Sequence, residues 1–145
     1  SGPFLDRIDI GVEVPRQDLG MMAAEKSIDE GSFPQTEQRN SSAVMRARVM
    51  EARARQEKRF ADESISYNSQ MTRRQIEEYC RLSGEDAVFL EKVERQQGIS
   101  ARGHGKILKV ARTLADLDGQ AEIGRTQLAE AIGFRSFEKK YWGNL

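Results

Sequence analysis

Apolar and polar residues alternate from Ile8 to Val14: Ile8, Ile10, Val12 and Val14 stand against Asp9, Gly11 and Glu13. A period of two predicts a half-buried β-strand, and Pro15 stops it because proline has no amide to give a ladder. No later stretch repeats the pattern, so the strand is an orphan without a sheet in this chain. Residues 16–40 carry no sustained period and are mostly polar. A run of that length without elements of its own predicts a flexible, disordered linker.

From Ser41 the pattern changes to a helical one. Serines open SSAVMRARVMEARARQEKRF, and Met45, Val49, Ala52 and Phe60 fall on one stripe interrupted by Gln56. ADESISYNSQM then reads as a loop. Thr72 begins a capping box, T-R-R-Q, for a short helix through Cys80. Ser83 caps the next helix, which turns Val88, Phe89, Leu90 and Val93 inward and ends near Gly98. The broadest apolar stripe follows Ser100 with Ile107, Leu108, Ala111, Leu114, Ala115 and Leu117, and Gly119 is its stop signal. A final helix spans about Arg125 to Phe134, and RSFEKKYWGNL is left as an aperiodic tail. The expected architecture is mainly α: a bundle of four to five helices over residues 41–135. One strand in 1–15 and a linker over 16–40 precede it, and a tail over 136–145 follows.

Composition adds limits. The 145 residues hold 23 basic and 23 acidic side chains, so net charge alone gives no argument for a nucleic-acid partner. Local charge differs from the total. Residues 41–60 carry six cations against two glutamates. This helix reads either as a solvated face or as a phosphate-contacting surface with Arg46, Arg53 and Arg59 as the candidate nucleic-acid contacts. A single cysteine, Cys80, excludes an internal disulfide and suits a reducing compartment. No apolar run approaches the length needed to span a bilayer. A soluble cytoplasmic protein without a membrane partner is expected.

The inventory for catalysis is thin. One histidine, His104, and one cysteine rule out His-pair and Cys-rich metal sites, and no metal is expected. Cys80 reads as a small buried hydrophobe rather than a nucleophile, since no third group accompanies it and His104. GHGK at 103–106 is not a phosphate-binding loop. Ser100 stands where the first glycine belongs, and Ile107 stands where serine or threonine must reach magnesium. Its glycines predict instead a weakened first helical turn, at about 1 kcal/mol each relative to alanine.

Two motifs together narrow the field. SGPFLDRIDIGVEVP resembles a segment of the magnesium-chelatase-like AAA+ ATPases, in the ComM branch. YNSQMTRRQIEEYCRL, GISARGHGKILKVARTLADLDG and the closing LAEAI and FRS are similar to the same family's C-terminal helical domain, in the same order. The resemblance covers essentially the whole chain.

It implies the end of a nucleotide-binding core followed by the AAA+ helical lid, with Walker A and Walker B upstream of Ser1. ATP and magnesium would be cofactors of the intact parent, with none bound by this part and no hydrolysis by it alone. The partners implied are neighbouring subunits of a homo-oligomeric ring and DNA, acted on in the manner of a helicase or branch-migration motor. A metal-chelatase ATPase subunit and a non-enzymatic helical interaction module are the alternatives.

By the same resemblance, Arg7 in LDRID matches the arginine finger that reaches a neighbour's ATP, and Arg102 in SAR matches sensor 2, which reaches the subunit's own phosphates. An ion pair of Arg7 with Asp6 or Asp9, and an ordinary first-turn arginine at 102, are the bland alternatives. Arg112 and Arg125 are secondary phosphate candidates. Gly103 and Gly105, where many relatives are bulkier, predict a looser turn around Arg102.

Overall fold

The computed structural model describes residues 7–14 and 41–142, with side chains as far as Arg135. Among the described residues five α-helices follow one another: α1 Ser42–Arg59, α2 Arg73–Tyr79, α3 Gly84–Gln97, α4 Ala101–Leu117 and α5 Arg125–Trp142. A 3₁₀ turn, Asn68–Gln70, lies within the segment read as a loop. Among the described residues no strand is formed. The predicted linker over 16–40 lies outside the described residues.

The helix starts follow the side chains that satisfy their free amides. Ser41, Ser83 and Ser100 each accept from an amide three residues on, as capping hydroxyls do. Thr72 completes the predicted box: its hydroxyl accepts from the Gln75 amide, while Gln75 Oε1 accepts from the Thr72 amide at 2.9 Å. Gly98 and Gly119 sit just past helix ends at φ 67° and 72°, a conformation that disfavours residues with a Cβ.

α4 is the axis of the bundle and lies against α1, α2, α5 and the 3₁₀ turn, while α5 also packs on α3. Its stripe is fully withdrawn from water at Ile107, Ala111 and Ala115, and Leu90, Leu128 and Ala131 close over it. Phe60 and Tyr79 meet edge-to-face with ring centroids 5.4 Å apart, joining the end of α1 to α2.

Four expectations need correction. Residues 8–14 do not form a strand, and Ile10, Val12 and Val14 stay exposed. No described strand runs alongside to pair with them, and their backbone bonds to helical residues instead. The final helix continues through 136–142, because no glycine or proline interrupts the chain between Gly133 and Gly143. In α3, Val88 faces solvent at 66% exposure while Leu90 is buried. The inward stripe there is Asp86, Phe89, Leu90 and Val93, at the i, i+3, i+4, i+7 spacing that leaves Val88 outside. On α1, Met45 and Val49 are about half exposed, and the first buried residue is Ala52. The N-terminal half of that helix is exposed and is tied to the bundle by the ion pair of Arg48 with Asp118 at 3.7 Å.

The polar interruption at Gln56 marks a buried network. Gln56 Oε1 accepts from the Asn68 amide at 3.1 Å. The Asn68 side-chain amide donates to Thr113 and to Asp116 Oδ2. Asp116, wholly buried, is gripped by both Arg59 nitrogens at 2.9 and 2.5 Å and by Arg112 at 3.1 Å. Arg112 also donates to the carbonyls of Gln120 and Ala121, both at 2.8 Å. Burial would raise the Asp116 carboxyl, but hydrogen bonds from Arg59 and Asn68 and the charge of Arg112 outweigh it and hold it low.

Asp116→Ala should destabilise the 145-residue chain by about 3–5 kcal/mol in urea unfolding, because two guanidinium groups lose their buried counter-charge. The pH dependence follows from the depressed carboxyl. The unfolded chain takes up the proton first, so the contribution is full above about pH 4 and drains away as pH falls through the folded value. Asp116→Asn should accordingly flatten the acid limb of a stability-against-pH profile.

Candidate functional site

The first turn of α4 presents the residues of interest. Ser100 fixes the helix start by accepting from the Gly103 amide at 3.1 Å. Arg102 projects from that turn, exposed, with no hydrogen bond or ion pair to another described residue. A cation at a helix N-terminus faces the positive end of the dipole, so an unpaired arginine there is poised for an external anion. It borders a groove of about 900 Å³ between α2, α3 and α4, floored by Ile76, Leu90, Ile99 and Leu108 and edged by Arg73 and Lys106.

The turn that carries Arg102 is tight, contrary to the expectation from its glycines. Gly103 is buried, and a Cβ there would stand 2.7 Å from Ile99 Cγ2 and 3.7 Å from Arg135 Nε. Gly105 faces Ile76 Cδ1 at 3.4 Å. Glycine at 103 lets α4 close onto the preceding loop and α5, and this packing fixes the base of Arg102. His104 adds a tie: its Nδ1 lies 2.6 Å from Glu94 Oε1, joining the end of α3 to the start of α4.

Arg7 is also exposed and without a partner among the described residues. Of the two carboxylates expected as its neighbours, Asp6 lies outside the described residues and Asp9 is instead 2.8 Å from Lys106.

The three arginines of α1 do not share one role. Arg46 is exposed and unpaired among the described residues. Arg53 lies over the Tyr67 ring, 4.0 Å from its centroid. Arg59 turns inward to Asp116, with its side chain 15% exposed. Arg112, at 3% exposure and tied to two carbonyls and Asp116, is a structural residue and not a phosphate contact. Arg125 pairs with Asp86 and stacks on Phe89. Cys80 is buried at the end of α2, and burial pushes its thiol up to about 11, which keeps it neutral and unreactive.

A family model described as "Magnesium chelatase, subunit ChlI C-terminal" matches residues 39–135, which takes in all of α1 to α4 and the side-chain-bearing part of α5. The chain belongs to the magnesium-chelatase-like AAA+ family. Its relatives place it in the ComM branch of that family. Competence protein ComM of Haemophilus influenzae is 39% identical over 137 residues, covering 94% of this chain and 24% of its own length. The uncharacterized protein YifB of Escherichia coli is 37% identical over 139 residues, 96% of this chain and 25% of its own. An uncharacterized Mycobacterium tuberculosis protein is 29% identical over 135 residues, 93% of this chain and 24% of its own. The chain thus spans about a quarter of the length of the curated relatives it matches. Among its described residues no helix is long and apolar enough to cross a membrane.

The turn at Gly103 yields a paired test. Gly103→Ala gains helix propensity but meets Ile99, so thermal denaturation should show a net loss of about 1–2 kcal/mol. Gly133→Ala, on α5 with open space around the added methyl, should gain about 0.5–1 kcal/mol. Equal gains at both sites would mean that the α4 turn is loose.

Proposed function

We propose that this chain is the lid-bearing C-terminal part of a ring-forming AAA+ ATPase. In this reading Arg102 is the sensor-2 contact to the subunit's own nucleotide, and Arg7 is the arginine finger for the neighbour's. The observation that carries the reading is Arg102. It is an unpaired cation on the first turn of the helix with the deepest apolar stripe in the fold, in the SAR motif of the family. A guanidinium on such a base holds its position, keeps its charge at any working pH and offers a planar fork to phosphate oxygens. Arg7 supports the reading from the other side, exposed in LDRID. ATP, when bound with magnesium to the Walker motifs expected elsewhere in the full-length protein, supplies the phosphoryl group. The arginines supply positive charge where negative charge develops as that group transfers.

The work driven by turnover is proposed to be DNA remodelling, of helicase or branch-migration type. The support is the name of the ComM relative, a competence protein, together with the free end of α1. Arg46 lies unpaired among the described residues on that exposed half, where a phosphate backbone has access, and Arg48 beside it pairs with Asp118 at 3.7 Å. Arg59 is withdrawn into the bundle and is not part of this surface.

In the full-length protein, Arg7→Ala should lower ATP turnover by about 10³-fold or more while nucleotide affinity and ring size stay unchanged. Arg102→Ala should lower turnover or nucleotide affinity in each subunit. Normal turnover in both variants, with rings intact, would overturn the assignments. For DNA, replacing Arg46, Arg48 and Arg53 with alanine should weaken binding across sequences and reduce the salt slope by about one for each phosphate that is no longer neutralised. An unchanged slope would return this helix to a solvated face.

A further inference from the structure

Residues 7–14 are tied to the bundle over one short stretch. Lys106, on α4, places its ammonium 2.8 Å from an Asp9 carboxylate oxygen and 3.4 Å from the Ile8 carbonyl. From α5, Arg135 Nη1 donates to the same Ile8 carbonyl at 3.3 Å. The Phe134 carbonyl accepts from the Gly11 amide at 3.0 Å. The attachment is polar and local, because Ile8, Ile10 and Val12 stay exposed.

Lys106 differs from an ordinary surface lysine. Its side chain is only 14% exposed although its partner carboxylate is 62% exposed. The aliphatic stem is packed against the bundle and the ammonium emerges at one point, so little rotamer freedom is left to lose in holding Asp9. It also stands one helical turn beyond Arg102, on the same face of α4. The buried stripe and the close approach at Gly103 make that part of α4 a rigid body. Whatever shifts Arg102 therefore shifts Lys106, and with it the backbone that follows Arg7.

We infer that Lys106 is a positioning residue for Arg7. It anchors the backbone from which Arg7 is presented, and through α4 it links the nucleotide held in one subunit to the finger that subunit offers its neighbour. The inference rests on the sensor-2 and finger assignments proposed above.

The test uses full-length rings. Lys106→Ala should lower kcat about 10- to 100-fold, the scale of a small misplacement of a catalytic group, with KM for ATP changed by less than about twofold. Asp9→Asn, at an exposed position, breaks the same pair from the other side without risk to the lid and should show the same split. Lys106→Arg, which keeps the charge, should recover most of the loss.

Mixed rings separate a defect acting on the neighbour from one in the subunit's own site. Subunits with Lys106→Ala mixed with subunits carrying Arg102→Ala should regain turnover, because some interfaces then combine an intact sensor with a well-held finger. Lys106→Ala mixed with Arg7→Ala should regain none. The reverse pattern would place Lys106 in the subunit's own nucleotide site and overturn the inference. So would normal turnover of both Lys106→Ala and Asp9→Asn in rings where Arg7→Ala is inactive. If Arg7→Ala and Arg102→Ala are themselves silent, the underlying assignments fail and the inference falls with them.

Discussion

The bundle depends on one carboxylate. Asp116 sits at the end of α4 with no access to water, and the groups around it come from three places in the chain: Arg59 on α1, Asn68 in the 3₁₀ turn and Arg112 one turn back on α4. An ionised carboxylate in such a place is tolerable only when its lone pairs are all engaged. Apolar packing alone permits α1 to slide or rotate on α4, because methyl groups have no preferred direction. The two-pronged grip of Arg59 fixes the register between the helices, and Arg112 extends it through two carbonyls to the connection before α5.

Much of this fold is written in local pattern. Serine and threonine caps, the glycines past helix ends and the stripe of α4 are short-range signals, and each acts through atoms a few residues away. Reading the apolar run Val88–Leu90 as wholly inward overrides the helical period, which already puts Val88 on a face with Glu85, Glu91 and Lys92 and so outside the core. The orphan strand shows the opposite limit. Alternation reports that a segment fits a sheet, while a ladder requires a partner, and only the three-dimensional neighbourhood supplies one.

The candidate site is legible in the sequence only where a motif carries it. Arg7 and Arg102 come from family resemblance, and the structure adds that both are free of partners among the described residues. Gln56, by contrast, is visible as a polar residue on an apolar stripe, which is the mark of a buried polar contact. The identity of its partner, Asn68, is not visible there, nor is the inward turn of Arg59. Arg46, Arg53 and Arg59 look alike in a charge count, yet water, an aromatic face and a buried carboxylate surround them in turn. Lys106 and Asp9 lie in different parts of the chain, far apart in sequence, and no periodicity relates them.

The overhang of α1 has a mechanical consequence. Arg48, paired with Asp118 at 3.7 Å, is the first residue of this helix tied to the bundle, so the roughly six residues before it form a stiff arm of roughly 9 Å at about 1.5 Å per residue. A rotation of about 10° at the base then sweeps the tip through roughly 1.6 Å. Small rearrangements where α1 meets α4 are therefore delivered, enlarged, to Val44, Met45 and Arg46.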